Sequence, residues 1–186
     1  NTHKLSDLKG KVVLLDFTIY QSAASAPHNF LLNDLYTKYK DQGLVIYQVS
    51  LDADEHFWKT TADNLPWISV RDANGIYSNV AAMYNVKEVP SLFLINRNSE
   101  LSARGETIKD LDAAVQILNK VELKNIKNGM KMIYTIVSES EANLKEGKIS
   151  VNTPIAQGLL GKKVGDVAEI KVPQGMVNLE VVNISF

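Results

Sequence analysis

The sequence predicts an α/β domain followed by a smaller α+β domain whose strands are mostly antiparallel. In residues 1–120, short apolar runs alternate with segments of helical periodicity, which is the pattern of a layered sheet with parallel strand pairs. In residues 130–186, strand-like runs follow one another with only short helices between them. The Lys/Asn-rich stretch Val121–Asn128 separates the two patterns, so we predict domains at residues 1–122 and 123–186.

The first half begins with a strand and a long helix. Lys11–Thr18 is an apolar run typical of a strand that is buried on both faces. In Ala26–Gln42, large side chains recur at helical spacing, and Gly43 ends the helix. Leu44–Leu51 is predicted to be the second strand. The predicted helix face consists of His28, Leu31, Leu32, Leu35 and Tyr39.

A second helix and an extended segment follow. Asp54–Asn64 has helical character, with Asp54 as its capping residue and Pro66 beyond its end. Trp67–Arg71 is predicted to be extended. The Asp, Asn and Gly residues of segment 72–75 favour a turn after it.

The first domain is predicted to end with a helix, a hairpin and a final helix. Tyr77–Tyr84 indicates a short helix. Ser91–Asn96 and Glu100–Arg104 are predicted to pair as a hairpin around a three-residue turn. Thr107 is the predicted cap of a helix that runs to about Lys120.

The second half contains one short helix among strands. The last strand has an irregular pattern, because its apolar residues change from odd to even positions between Val181 and Val182. That change of phase predicts a β-bulge. The other predicted elements are the strands Met130–Val137 and Ala168–Val172 and the helix Pro154–Leu160, which Gly161 ends.

Composition excludes several classes of chemistry. The 186 residues include no cysteine, which excludes disulfides, iron–sulfur clusters, thiolate zinc sites and a cysteine nucleophile. The formal net charge of −1 does not favour direct nucleic-acid binding. No apolar run is long enough for a membrane span. We interpret the acidic cluster Asp52–Glu55, followed by His56, as a solvated loop, and we expect no metal and no cofactor.

Three segments of the first half carry a family resemblance: Leu5–Thr18, Asn74–Tyr84 and Val86–Asn96. They resemble the periplasmic or membrane-anchored thioredoxin-like thiol–disulfide oxidoreductases, and the match covers residues 4–120. That family follows its first strand with Phe-Trp-x-x-Trp-Cys-x-x-Cys. In Phe17–Ser25, serine occupies both cysteine positions, and Thr18 and Gln21 replace the tryptophans. Because the tryptophans have changed as well, we favour a natural Ser-x-x-Ser over an engineered one.

The resemblance implies a scaffold whose active-site positions are degenerate: Ser22, Ser25 and Asp16. In the family, Asp16 corresponds to a partly buried acid that helps proton transfer, and here we interpret it as a relic or a hydrogen-bonded buried carboxylate. Pro90 occupies the position of a cis-proline that exposes the preceding backbone to an extended peptide. The peptide-binding surface that the resemblance implies consists of Gln21, His28, Val89 and Pro90.

A catalytic alternative uses three residues of the same region. Ser25 and His28 are three apart on the predicted helix and share a face. The resemblance places Asp16 beneath the start of that helix, so the three could imitate a hydrolase triad. The competing interpretation is that Ser22 caps the helix and that His28 is a partly exposed helical residue. We assign no catalytic residue, and the sequence leans away from an enzyme.

A second resemblance lies in residues 130–186. Ile133–Val137, the segment Lys148–Asp166 and the turn Pro173–Gly175 resemble, in order, the C-terminal domain of Gre-type transcript-cleavage factors, which has an FK506-binding-protein-like fold. The resemblance implies docking on RNA polymerase. The acidic coiled coil of those factors has no counterpart in this sequence, so transcript cleavage is not expected. The docking residues it implies are Asn152, Thr153, Pro154 and Gln157.

The predicted function is that of a redox-inactive thioredoxin-fold protein that binds a protein or peptide. The alternative is a transcription-associated protein that contacts RNA polymerase through the second domain. The first resemblance favours an extracytoplasmic location, periplasmic or membrane-anchored, and the second favours the cytoplasm. Because the sequence begins at Asn1 and not at Met, we expect upstream processing, and an upstream lipid anchor is compatible with the first location.

Overall fold

The computed structural model describes residues 3–105 and 111–186. The chain forms two compact units, Asn1–Lys109 and Asp110–Phe186. The first is an α/β domain and the second an α+β domain, which confirms the predicted fold classes and their order. The division between the units comes earlier than the predicted one after residue 122.

The first domain contains a mixed five-stranded sheet in the order β3-β2-β1-β4-β5. The central strand pairs in parallel with β2 and antiparallel with β4, and β2 pairs in parallel with β3. The predicted parallel pairs and the terminal hairpin β4–β5 are therefore confirmed. The strands are β1 (Val12–Thr18), β2 (Leu44–Ser50), β3 (Ile68–Arg71), β4 (Ser91–Ile95) and β5 (Leu101–Arg104).

Three helices, α1 (Ser25–Tyr39), α2 (Glu55–Ala62) and α3 (Asn79–Met83), connect these strands. Asp54 caps α2 as predicted, since its carboxylate accepts a hydrogen bond from the Phe57 backbone at 3.0 Å. The third helix begins later than predicted because Ser78 caps it and Gly75–Tyr77 forms a separate 3₁₀ turn. Two further 3₁₀ turns are Leu5–Leu8 and Lys40–Gln42.

Every residue of β1 is buried, as the apolar run predicted. One face of the strand packs Phe17 into a ring cluster with Tyr84 and Phe93, whose centroids are 5.2–5.8 Å apart. The opposite face carries Asp16 and Thr18, which alternate with the apolar residues. Asp16 and Thr18 are therefore polar side chains that are buried at the centre of the sheet.

The second domain contains a curled five-stranded sheet in the order β8-β7-β6-β10-β9. All neighbouring strands are antiparallel except β7 and β8. The register of the last strand shifts between Val181 and Asn183, which confirms the predicted bulge. The elements are α4 (Leu111–Gln116), β6 (Lys120–Asn125), β7 (Lys131–Val137), β8 (Lys148–Ser150), α5 (Pro154–Leu159), β9 (Val167–Val172) and β10 (Gly175–Ser185).

The stretch predicted to link the domains is the central strand β6 instead. Val121 and Leu123 point into the core at 4% and 0% exposure, while Lys120 and Lys124 on either side of them are exposed and Glu122 between them is half-buried. The helix predicted to reach Lys120 ends at Gln116, and its predicted cap, Thr107, lies outside the described residues. Strand β8, which contains only three residues, was not predicted from the sequence.

Helix α5 packs closely on the edge strand β9. A Cβ atom at Gly158 would lie 2.7 Å from Cγ1 of the buried Ile170, so the helix could not approach the sheet this closely with a larger residue. The core around this contact includes Leu123, Leu179 and Val181. Of the helices in the described ranges, none is long and apolar enough to cross a membrane.

Candidate functional site

The loop before α1 contains the degenerate active-site positions. Two hydrogen bonds of 3.0 Å shape it, from the Ser22 backbone to the Ile19 carbonyl and from the Ser25 backbone to the Ser22 carbonyl. The Ser22 hydroxyl accepts from the Ala24 backbone at 3.3 Å, but Ala24 occupies the capping position and α1 begins at Ser25. Ser22 thus supports the turn. The interpretation that Ser22 caps the helix is wrong.

The carboxylate of Asp52 holds this loop from the end of β2. One oxygen accepts from the Tyr20 backbone at 2.7 Å and from the Ser50 hydroxyl at 2.7 Å. The other oxygen accepts from the Gln21 backbone at 3.1 Å. The residue is 1% exposed, so these partners replace water around a buried carboxylate.

The interpretation of the acidic cluster as a solvated loop is therefore wrong for Asp52. It holds for the following acids, because Asp54 caps α2 and Glu55 forms an exposed ion pair with Arg71 at 3.0 Å. In residues 3–105 and 111–186, no group of three or more histidine and acidic side chains is arranged to hold a metal ion.

Beneath α1, Asp16 and His28, two members of the triad considered above, form a buried pair. Its carboxylate is fully buried and lies 2.9 Å from Nε2 of His28, and its other oxygen accepts from Nε2 of Gln48 at 2.7 Å. The interpretation as a hydrogen-bonded buried carboxylate fits this arrangement. The His28 side chain is only 9% exposed, so it is more buried than the expected partly exposed residue.

Gln48 is the centre of the polar interior, and its amide uses all four of its hydrogen-bonding positions. The nitrogen donates to Asp16 and, at 2.8 Å, to the Asn29 side chain. The oxygen accepts from the Tyr20 hydroxyl at 2.8 Å and from the Trp67 indole at 3.0 Å. This fully buried amide therefore fixes β2 relative to β1, through Asp16, and relative to α1, through Asn29.

The network extends to the edge strand β3 through Ser69. Its hydroxyl oxygen lies 2.7 Å from the Tyr20 hydroxyl and accepts from the Trp58 indole at 3.1 Å. Since Tyr20 already donates its proton to Gln48, the Ser69 proton must be directed at Tyr20. The polar interior thus runs without a break from His28 to Trp58.

Burial dominates the titration of the two acidic groups in this network. Desolvation raises the pKa of Asp16 above its ordinary value, and the hydrogen bond and charge of His28 oppose that rise. Burial also raises the pKa of the Tyr20 phenol well above its ordinary range. Tyr20 therefore stays a neutral donor at physiological pH.

A cleft of about 280 Å³ opens beside this network. His28 and Pro90 both line it, so the structure brings together two of the four predicted peptide-binding residues. The Val89–Pro90 bond is cis, as the resemblance implied. Val89 packs against the core instead, and Gln21 is exposed on the loop outside the lining. The lining consists of His28, Glu88, Pro90, Ser91, Leu92, Phe93, Arg104 and Gly105.

The hydrolase alternative is only partly assembled. Asp16 and His28 are paired, but within residues 3–105 no hydrogen bond joins the Ser25 hydroxyl to His28. Ser25 is also buried, at 4% exposure. A nucleophile needs both the base and access to substrate, so the geometry does not favour this chemistry.

The predicted docking residues of the second domain surround the start of α5. Thr153 caps the helix, because its hydroxyl accepts from the Ala156 backbone at 3.3 Å and donates to the Ser150 carbonyl at 2.8 Å. Asn152, Pro154 and Gln157 are exposed beside it. Thr153 therefore stabilises the start of α5, and the other three form an exposed surface around it.

Comparison with known proteins identifies the first domain. Residues 10–101 match the sequence model of a family described as thioredoxin-like. A thioredoxin-like protein from Bacteroides vulgatus, known from its solution structure, is 66% identical, with a TM-score of 0.60, over 63% of this chain and 78% of that one. The chain belongs to the thioredoxin-like family. A crystal structure described as thiol:disulfide interchange protein DsbE, from Chlorobium tepidum, is 26% identical to the chain, with a TM-score of 0.52, over 60% of this chain and 82% of that one.

The thioredoxin-like domain is followed by a domain of a second family. Residues 111–186 match the model described as "Transcription elongation factor, GreA/GreB, C-term". Transcription elongation factor GreA of Amoebophilus asiaticus is 55% identical over 74 residues, which are 40% of this chain and 47% of that protein. The chain spans about half the length of the curated relatives it matches. Both predicted resemblances are thereby confirmed.

Proposed function

We propose that the thioredoxin-like domain is a redox-inactive module that binds a protein or peptide in the cleft beside α1. The observation that carries the proposal is the presence of Ser22 and Ser25 at the thiol positions of a chain without cysteine. Disulfide exchange needs a thiolate that attacks and a second thiol that resolves the mixed disulfide. A serine hydroxyl does neither, so the function that remains for the cleft is binding.

The composition of the cleft supports this role. Pro90, Leu92 and Phe93 provide apolar lining, while His28, Ser91 and Arg104 provide polar groups. The Arg104 guanidinium lies over the Phe93 ring at 5.4 Å and donates to the Tyr84 carbonyl at 3.3 Å, which fixes its position. An apolar depression with a few positioned polar groups is the usual character of a binding site.

Ser91→Trp is expected to fill the cleft and to weaken peptide binding by at least about tenfold, or roughly 1.4 kcal/mol. The probe is a fluorescent dodecapeptide selected on the full chain from a random displayed library, and anisotropy gives its affinity. Ser102→Trp is the matched control, because Ser102 is exposed on β5 outside the cleft. Equal affinity of both variants would place the binding surface elsewhere, and failure to select any peptide would contradict the proposal.

A second candidate function is contact with RNA polymerase through the second domain. The observation that favours it is the 55% identity to a transcription elongation factor over this domain. The exposed surface of Asn152, Pro154 and Gln157 at the start of α5 provides the candidate contact, and Gln157 is held in place by donating to the Val151 carbonyl at 2.7 Å.

Gln157→Ala is expected to lower the affinity of the full chain for bacterial RNA polymerase by about fivefold to tenfold, because it removes a positioned donor at the contact. Surface plasmon resonance with immobilised core polymerase measures this. Lys171→Ala, exposed on β9, is the matched control and should leave binding unchanged. The candidate fails if the unaltered chain does not bind, or if both variants bind equally.

The two candidates imply different compartments. The similarity to a protein described as a thiol:disulfide interchange protein supports an extracytoplasmic location, which we propose. The similarity to transcription elongation factors supports the cytoplasmic alternative.

A further inference from the structure

The Asp16–His28 pair connects the buried polar network to the cleft. Asp16 is fully buried and cannot touch a ligand, whereas His28 lines the cleft directly. The 2.9 Å contact couples the two side chains, so a proton on either one sets the charge of the pair. A proton gained or lost by this pair therefore changes the electrostatic potential inside the cleft.

The Asp16–His28 pair has two charge states that differ by one proton. Without an added proton, the Asp16 carboxylate accepts from Nε2 of His28 and from Gln48, and the pair carries one negative charge. One added proton makes the pair neutral, whichever of the two side chains holds it. In the unprotonated state Nδ1 of His28 is a hydrogen-bond acceptor, which suits a donor on the ligand.

Other charged side chains near His28 in this domain include Arg104, Glu88 and, farther away, Asp52. Arg104 on β5 and Glu88 before β4 line the cleft with opposite charges. Beyond Gln48 lie the neutral Tyr20 phenol and, at the loop, the carboxylate of Asp52. A proton taken up by the Asp16–His28 pair consequently removes one negative charge from the surroundings of the cleft.

We propose that the cleft prefers peptides with cationic side chains and that its affinity for them falls as the Asp16–His28 pair takes up a proton. This inference rests on the proposed peptide-binding function. The expected change in affinity is roughly fivefold to tenfold, the effect of a single partly screened charge.

Three peptides of the same length and apolar core test the inference. They carry two lysines, two glutamines or two glutamates, and their affinities for the full chain are measured by fluorescence anisotropy from pH 8.5 to pH 5.0. The peptide with lysines should bind most tightly at pH 8.5 and lose this advantage on acidification. The peptide with glutamates should show the opposite trend.

Two variants separate the charge from the proton. Asp16→Asn removes the buried charge and should abolish both the preference for lysine and its pH dependence. His28→Gln keeps a donor to Asp16 and leaves the carboxylate in place, so the preference for lysine should persist at pH 8.5. Asp34→Asn, which removes an exposed charge elsewhere on α1, is the matched control and should behave as the unaltered chain.

The outcomes distinguish this inference from the function on which it rests. Peptide binding that is indifferent to charge, or a preference for lysine with its pH dependence that survives in Asp16→Asn, overturns the inference alone. Failure of all three peptides to bind overturns the proposed function together with it. Tryptophan fluorescence verifies that each variant is folded, since Trp58 and Trp67 both lie in this domain.

Discussion

Thiol–disulfide activity is expected to appear when Ser22→Cys and Ser25→Cys are combined, whereas the native chain should reduce insulin no faster than background. The two positions are one turn apart and joined by a backbone hydrogen bond of 3.0 Å at the start of the fifteen-residue helix α1. A helix N-terminus lowers the pKa of a thiol and so increases its reactive thiolate. Insulin reduction with dithiothreitol as the electron source should rise at least about tenfold above background.

Matched cysteine pairs show whether the position matters. Ser138 and Ser140 lie in the second domain with their hydroxyl oxygens 3.1 Å apart, so Ser138→Cys with Ser140→Cys places two thiols close together away from α1. This control pair and each single variant at the loop should stay near background. If the loop pair is no faster than the control pair, the retained scaffold does not support the chemistry. Turnover by the native chain would contradict redox inactivity.

Gln48→Leu is expected to cause the largest loss of stability in the first domain. The substitution leaves the buried Trp67 indole without its acceptor and takes one hydrogen bond each from Asp16 and Tyr20, which keep His28 and Ser69. Each buried donor or acceptor that is left unsatisfied costs about 1–3 kcal/mol. We therefore expect the free energy of unfolding to fall by about 3–4 kcal/mol. Urea denaturation followed by tryptophan fluorescence measures this domain selectively, because both tryptophans of the chain belong to it.

The matched control for this loss is Gln21→Leu, the same change at an exposed position of the loop. It should alter the free energy of unfolding by less than about 0.5 kcal/mol. A comparable loss in both variants would mean that the effect comes from leucine itself. A negligible loss in Gln48→Leu would show that the network contributes specificity of packing without net stability.

The fold was largely predictable because its signals are local. Strands β1 and β2 are apolar runs, Asp54 marks the start of α2, and the change of phase at Val181 marks the bulge. Strand β6 was missed because four of its six residues are polar or charged, and only Val121 and Leu123 alternate inward. A three-residue strand such as β8 shows no period at all.

The candidate site was predictable only where a motif marked it. Ser22 and Ser25 were found from the motif, helical spacing put His28 on the same face as Ser25, and the resemblance placed Asp16 beneath that helix. Gln48 and Asp52 were missed, since their partners lie tens of residues away and a single polar residue in an apolar strand does not reveal them. Each does interrupt or follow a buried run, which is a signal of a satisfied interior polar group.

Because Asp52 binds backbone amides, the conformation of the loop before α1 does not depend on which side chains the loop carries. The carboxylate grips backbone amides of Tyr20 and Gln21, and every residue except proline supplies such an amide. Substitutions at the following positions, Ser22–Ser25, therefore leave these backbone hydrogen bonds intact. A protein that loses its active-site cysteines can therefore keep the backbone conformation of the loop, and cysteines reintroduced at Ser22 and Ser25 would find that conformation in place.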